Sequence, residues 1–272
     1  MRTLNDPTAL GAEALERRAR GETIGFVPTM GFLHAGHVSL FELARPLCDW
    51  LVGSIYVNPL QFGPDEDLGR YPRDPEGDAA SCASAGVDML FVPPELYAPD
   101  HSTRVVVDHV TRGLCGEARP GHFEGVATVV ARLFGLVQPS VAVFGEKDYQ
   151  QLVVIRRMVR DLAMPIEIVG APLVRDADGL ALSSRNAYLS DTDRTRALSL
   201  NRALRAMRDC GKKDVAQVLA LGRSILDVDR VDYLSVVDAE NLEPKAIVDG
   251  SARALVAAWV GGTRLIDNIG WR

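Results

Sequence analysis

The sequence predicts an α/β protein: a Rossmann-like, doubly wound parallel sheet followed by a second, smaller α+β domain. Three observations carry this. Short apolar runs alternate with segments of helical period through the first two thirds of the chain, as in a parallel sheet with helices on its faces. Several of these runs are apolar on both faces, as strands covered from both sides require. Past residue 175 the order changes to helices first and strands later, which divides the chain into domains 1–175 and 176–272.

In chain order, residues 24–27, 51–57, 87–92, 105–107, 141–144 and 166–169 read as strands. Residues 38–47, 78–85, 123–137 and 149–162 read as helices between them. In the last of these, Leu152, Ile155, Val159 and Leu162 recur at three and four, while Arg156, Arg157 and Arg160 take the other face. The apolar stretch 123–137 suits either an interface or a core, and its period does not separate the two. After a turn-rich segment, 173–179, helices are expected at 191–210 and 215–226. Strands follow at 231–237, 254–259 and 263–267, the last two joined at Gly261-Gly262 in a hairpin.

Composition excludes several classes. Thirty basic against thirty-six acidic residues give a net charge of −6 with no long basic run, so nucleic-acid binding has no electrostatic support. No apolar run approaches the roughly 18 residues of a spanning helix, so no membrane partner is expected. Cys48, Cys82, Cys115 and Cys210 are scattered without a CxxC, which fits free thiols in a reducing compartment. With no apolar signal core at the N-terminus, a cytoplasmic protein is expected.

The chemistry-bearing residues fall where the strands end, the side on which open parallel sheets take ligands. His34-Ala35-Gly36-His37 follows the turn 27–31 after the first strand. Its spacing puts two imidazoles on one face at a helix start, with Gly36 allowing close approach, a good setting for a polyphosphate. Two surface histidines or an N-cap are the alternatives. Lys147, in Gly145-Glu146-Lys147-Asp148, can pair with phosphate oxygens as a point charge, or simply with Glu146 or Asp148. Ser183-Ser184-Arg185 offers two hydroxyls and a guanidinium suited to a β/γ-phosphate, or else a helix cap. Gln61 and Gln151 carry neutral amides able to donate to a carboxylate or hydroxyl, or to stabilise loops. These clusters are expected to converge on one cleft. No Walker P-loop, no GxGxxG and no GxSxG elbow occurs. His101, His109 and His122 follow no zinc-ligand spacing and no cysteine is near, which disfavours zinc.

HxGH after a strand and turn, with a later lysine and a Ser-Ser-Arg loop, resembles the nucleotidyltransferase superfamily that includes class I aminoacyl-tRNA synthetases. Within it the chain resembles the pantoate–β-alanine ligase (pantothenate synthetase) family. The blocks that carry this are Phe26-Val27-Pro28-Thr29-Met30-Gly31, His34-Ala35-Gly36-His37, Val57-Asn58-Pro59-Leu60-Gln61-Phe62 and Tyr71-Pro72-Arg73-Asp74. Arg119-Pro120-Gly121-His122-Phe123, Phe144-Gly145-Glu146-Lys147-Asp148-Tyr149-Gln150-Gln151 and Leu182-Ser183-Ser184-Arg185-Asn186 complete them, in family order.

The resemblance implies ATP-dependent condensation of pantoate with β-alanine through a pantoyl adenylate, releasing pyrophosphate and then AMP, with Mg2+ required. It implies an ATP site of Met30, Gly31, His34, Gly36, His37, Gly145, Glu146, Lys147, Asp148, Val174, Leu182, Ser183, Ser184 and Arg185. His37, His34 and Lys147 are the implied catalytic residues. Gln61 and Gln151 would hold pantoate, with Gln61 also near β-alanine. A homodimer is implied as well, and a small C-terminal domain acting as a lid. No magnesium ligand is assigned, because Glu76-Gly77-Asp78 interrupts with glycine an acidic cluster that relatives carry after Tyr-Pro-Arg. The other enzyme reading is a nucleotidyltransferase that leaves the adenylyl group on a different small acceptor. A non-catalytic nucleotide sensor would be expected to lack the phosphate-facing residues that this chain retains.

Overall fold

The computed structural model describes residues 1–64 and 66–271. In chain order the elements are β1 (Arg2–Leu4), α1 (Pro7–Ala19), β2 (Ile24–Thr29), α2 (Ala35–Ala44), β3 (Trp50–Ile55), α3 (Pro75–Ser84) and β4 (Met89–Phe91). Then come α4 (Leu114–Ala118), α5 (His122–Val137), β5 (Val141–Gly145), α6 (Tyr149–Asp161) and β6 (Glu167–Ala171). α7 (Asp191–Asp209), α8 (Val215–Ile225), β7 (Arg230–Asp238), β8 (Ala252–Val260) and β9 (Thr263–Gly270) complete the chain.

Two compact units result. The first comprises Met1–Val107, Arg119–Glu146 and Val154–Pro172; the second comprises Asp108–Ala118, Lys147–Val153 and Leu173–Arg272. A single break near residue 175 would leave the short segments 108–118 and 147–153 with the first unit. Long-range bonds assign them to the second: Cys115 Sγ lies 3.1 Å from the Tyr233 hydroxyl, and Tyr149 donates to the Ala239 carbonyl at 2.9 Å.

The first unit is built on a parallel sheet of order β1-β4-β3-β2-β5-β6. β2 pairs with β3 from Ile24↔Trp50 to Thr29↔Ile55, and with β5 at Gly25↔Val141 and Phe26↔Ala142. The chain runs outward from β2 through β3 to β4, then returns to the other side of β2 as β5. Strand order therefore reverses at β2/β5, and the carboxyl ends of these strands form the switch point where such sheets bind ligands. Phe134 stacks edge-on against Phe26 and Phe144, each pair 6.3 Å between centroids. Val27, Phe41, Leu51, Leu90 and Val143 are buried in one cluster across the sheet. Phe123, Val126, Val130, Leu133 and Phe134 of α5 are buried within the chain itself, which makes this apolar stretch core.

The second unit is an antiparallel sheet of order β7-β8-β9. Leu200, Leu204 and Met207 of α7 and Val218 of α8 share a core with Leu234, Val256 and Ala258 of the strands. The β8–β9 hairpin closes at Val260↔Thr263. Gly261 and Gly262 there have φ of +56° and +76°, the two positive values a two-residue hairpin turn needs.

Four elements differ from expectation. β1, α1 and the short helix α4 stand where none was assigned. α1 carries its own signal, since Asp6 caps it by accepting the Thr8 N–H at 2.8 Å and Pro7 opens the first turn. Residues 105–107 form no strand: Val105 donates its N–H to Thr128 Oγ1 at 3.0 Å, and Val106 is 70% exposed. An extended apolar triplet without a partner strand is not held in a ladder.

Candidate active site

The switch point is shaped first by the backbone after β2. Gly31 and Phe32 have φ of +82° and +53°, two left-handed residues in succession. A Cβ at Gly31 would lie 2.8 Å from Asp78 Oδ2 and 3.0 Å from Ile55 Cγ2, so the turn requires glycine there. Asp78, buried on α3, accepts the Phe32 N–H at 2.9 Å and the Leu33 N–H at 2.6 Å. This carboxylate pins the loop that delivers His34.

His34 is the N-cap of α2. Its Nδ1 accepts the Gly36 N–H at 3.1 Å, while His37 Nδ1 accepts the His34 N–H at 3.3 Å. The pair forms a reciprocal capping box with imidazoles in place of the usual hydroxyl and carboxamide. A ring nitrogen that accepts from a main-chain N–H is unprotonated, so each neutral ring carries its proton on Nε2. The rings lie 4.1 Å apart between centroids, tilted by 33°. Capping and ligand binding, posed as alternatives from the sequence, are thus compatible: the cap uses Nδ1 and fixes the tautomer with the proton on Nε2.

After β3, Asn58 caps the 3-10 turn Pro59–Gln61 by accepting the Leu60 N–H at 3.3 Å. Gln61 is buried; its Nε2 lies 3.1 Å from Met30 Sδ, and its Oε1 accepts from Asn58 Nδ2 at 3.1 Å. Met30, Gly31, His34, Gly36, His37, Gln61, Gly145 and Glu146 all belong to the first unit.

The remaining expected residues belong to the second unit. Lys147 is half-buried in the 3-10 turn Glu146–Asp148, with Nζ 3.5 Å from Asp148 Oδ2. A pair this long and partly exposed is weak, so Asp148 restrains the ammonium little. The Lys147 carbonyl accepts from Asn268 Nδ2 at 3.0 Å. Gln151 is half-buried in the first turn of α6. Its neighbour Gln150 is consumed internally, donating to the carbonyls of Val110 and Gly113 and accepting the Cys115 N–H.

Val174 and Leu182 flank a small hairpin, with the Leu182 N–H on the Val174 carbonyl at 3.1 Å. Arg175 holds that hairpin through a bidentate pair to Asp267 at 2.7 and 2.8 Å. Burial pushes the Asp267 carboxyl above its ordinary value although Arg175 and the Asn268 N–H act against it. Asp267 and Asn268, adjacent on β9, therefore anchor both the hairpin and Lys147. Ser183 caps the turn Ser184–Tyr188, accepting the Arg185 N–H at 3.3 Å; as an acceptor it keeps its O–H for donation. Ser184 is buried and Arg185 half-buried.

The sequence named Asn58 and Arg119 only as parts of blocks, weighed His122 besides only as a zinc ligand, and gave no role to Asp78, Asp267 or Asn268. The signal for Asn58 was local, an Asx residue before proline. The others act across tens of residues. Among the described residues no group of three His, Cys, Asp or Glu side chains is gathered for a metal ion. Asp78 in particular is committed to main-chain N–H groups.

A family model described as pantoate-beta-alanine ligase matches residues 2–270. The chain is 52% identical to a pantothenate synthetase of Anaeromyxobacter dehalogenans, with 97% of this chain and 96% of the relative covered. It is 50% identical to one of Pseudomonas putida, covering 99% and 97%. A crystal structure of pantothenate synthetase from Thermus thermophilus superposes with a TM-score of 0.94 at 52% identity over the whole of both chains. Pantoate-beta-alanine ligase from Francisella tularensis, solved in complex with beta-gamma ATP and beta-alanine, superposes with a TM-score of 0.82 at 32% identity, covering 99% and 97%.

Proposed function

The chain belongs to the pantoate-beta-alanine ligase family, and we propose that it condenses pantoate with β-alanine at the expense of ATP. The reading rests on similarity across residues 2–270. In the first step a pantoate carboxylate oxygen attacks the α-phosphorus, and the bond to pyrophosphate breaks. In the second step the β-alanine amine attacks the acyl carbon, the bond to AMP breaks, and the amine proton leaves to solvent.

A free carboxylate is a poor electrophile, and AMP supplies the leaving group. The first transition state gathers charge on phosphate oxygens, which fixed donors stabilise without reorganising. His34 and His37 serve as such donors through Nε2–H, supported by their Nδ1 atoms accepting main-chain N–H groups. Lys147, Ser183, Ser184 and Arg185 add an ammonium, two hydroxyls and a guanidinium toward the phosphates. Met30, Gly31, Gly36, Gly145, Glu146, Asp148, Val174 and Leu182 complete the ATP site. Gln61 and Gln151 bind pantoate through amide donors, and Gln61 also borders β-alanine. Neither step needs a covalent enzyme nucleophile.

No residue of this chain is assigned to magnesium, which would accompany ATP and supply neutralisation of phosphate charge there. We read the protein as cytoplasmic from its scattered thiols and as a homodimer from the family resemblance; light scattering tests the dimer.

Pyrophosphate release from MgATP, measured with pantoate and with or without β-alanine, tests the activity. Pantoate-dependent release, with AMP and pantothenate formed once β-alanine is added, is expected. AMP retained on the product would instead mark a nucleotidyltransferase. Silence with pantoate, from folded protein that binds ATP, would refute the substrate assignment.

A further inference from the structure

The proposed reaction gives no step to Arg119 or His122, yet both are bonded to Gln61. His122, buried at the start of α5, places Nδ1 2.9 Å from the Gln61 carbonyl oxygen. That oxygen can only accept, so Nδ1 carries the proton. His122 Nε2 lies 3.0 Å from Arg119 Nη1, which can only donate, so Nε2 is unprotonated. Two partners of opposite character thus hold the ring neutral and in one tautomer. Arg119 is itself gripped by Glu66, Nε to Oε1 at 2.7 Å and Nη2 to Oε2 at 2.6 Å, and its Nη2 also reaches the Gln61 carbonyl at 3.4 Å.

The Gln61 side chain is fixed separately. Asn58 Nδ2 donates to Gln61 Oε1 and to the Gly125 carbonyl, both at 3.1 Å. Asn58 Oδ1 accepts from the Tyr97 hydroxyl at 3.1 Å and from the Leu60 N–H at 3.3 Å. With its amide saturated, Asn58 orients Gln61 so that the amide nitrogen is the group presented. A Cβ on Gly125 would sit 2.2 Å from the Leu60 carbonyl oxygen, so α5 seats its bare backbone directly on the turn that carries Gln61. The main chain of Gln61 is therefore set by Glu66, Arg119 and His122, and its amide by Asn58.

We propose that Glu66, Arg119 and His122 are positioning residues for pantoate, acting as a relay that holds Gln61 so its amide N–H meets the substrate oxygens. The inference rests on the reading that Gln61 contacts pantoate. It makes the relay specific: its loss acts only through Gln61, so the pantoate KM moves and the ATP KM does not. Orientation errors of this kind cost between about 10-fold and about 100-fold.

The test uses the full chain and compares His122→Ala, Arg119→Lys, Gln61→Ala and the His122→Ala/Gln61→Ala double variant in KM for pantoate, KM for ATP and Tm. His122→Ala is expected to raise the pantoate KM about 10-fold or more while the ATP KM holds, and to add nothing in the Gln61→Ala background. Arg119→Lys keeps a charge for Glu66 but loses the planar fork, and is expected to give part of the effect. If His122→Ala does not fold, His122→Asn restores a donor near the Nδ1 position and is expected to keep the pantoate KM close to that of the parent. Independently of activity, 15N shifts of His122 near neutral pH should report the Nδ1-protonated tautomer.

Additive effects in the double variant, a joint rise of both KM values, an unchanged pantoate KM, or the opposite tautomer would each overturn the relay. A Gln61→Ala variant with normal pantoate KM would refute the role of Gln61 itself. A strong Gln61→Ala effect beside an inert His122→Ala would refute the relay alone.

Discussion

Asp78→Asn isolates the carboxylate that shapes the loop before the histidine pair. The native side chain is 3% exposed and accepts two main-chain N–H groups, from Phe32 at 2.9 Å and Leu33 at 2.6 Å. A hydrogen bond to a buried charge contributes about 1.5–3 kcal/mol, and an orphaned buried donor costs about 1–3 kcal/mol. Asparagine can accept one of these N–H groups, but its own NH2 then faces the other. The loss works out at roughly 2–4 kcal/mol. At about 2–4 °C per kcal/mol for chains of this size, a value near 3 kcal/mol lowers Tm by roughly 6–12 °C. Because Leu33 immediately precedes the helix cap, the rate of pantoate-dependent pyrophosphate release should fall as well. Calorimetry and a pyrophosphate assay on the same preparation read both effects. Glu76→Gln, two residues earlier and exposed, serves as the comparison and should cost no more than about 1 kcal/mol. Equal Tm values for the two variants, or a fully active Asp78→Asn, would refute the role given to this carboxylate.

His37→Ala and Lys147→Ala should each cut pyrophosphate release by about two orders of magnitude, the usual loss for one transition-state donor. His37→Ala should also cost about 1 kcal/mol in stability because it removes half of a capping box; a variant at full rate removes that residue from the mechanism. Burial alone would push the Glu66 carboxyl up, but its hydrogen bonds and charge pairing with Arg119 hold it below the ordinary 4.5. A depressed carboxylate stabilises above its unfolded value and loses that contribution as pH falls through its folded value. The Tm difference between parent and Glu66→Gln should therefore be full at neutral pH and shrink as pH drops below 4.5; a difference that grows on acidification has the wrong sign. Burial pushes the Cys82 thiol up to about 12, with Asp78 adding to the effect. Iodoacetamide at mildly alkaline pH should leave Cys82 unmodified in folded protein, and rapid alkylation there would contradict its burial.

The sheet was legible because its strands are locally distinctive: Ile24, Phe26 and Val27, or Val141 to Phe144, are apolar on both faces and end at polar clusters. The reversal of strand order at β2 and β5 was legible only as a fold class, since no local signal says which strands pair. β1 escaped notice because three residues carry no period, and its register with Met89–Phe91 is set by contacts across the chain. α1 carries a local signal in Asp6-Pro7, an N-cap followed by proline at the first helical position. Residues 105–107 misled because an apolar triplet looks the same whether or not a partner strand is present.

The candidate site divides in the same way. His34 and His37 were visible from their spacing, but histidine seldom fills both places of a capping box, so their fixed tautomer was not. Asp78 looked like one acidic residue on a helix. Its partners lie 45 and 46 residues away, and no motif links them. His122 reaches Gln61 across 61 residues, so the Arg-Pro-Gly-His block could be seen while its work could not.

The most direct test of adenylate chemistry follows an oxygen. Pantoate labelled with 18O in its carboxylate is turned over with MgATP and β-alanine, and the products are weighed by mass spectrometry. Attack by the carboxylate on the α-phosphorus, followed by amine attack on the acyl carbon, leaves one labelled oxygen in AMP and the other in the pantothenate amide. Label in inorganic phosphate with ADP as co-product would place the attack at the γ-phosphorus, and unlabelled AMP would exclude a pantoyl adenylate altogether.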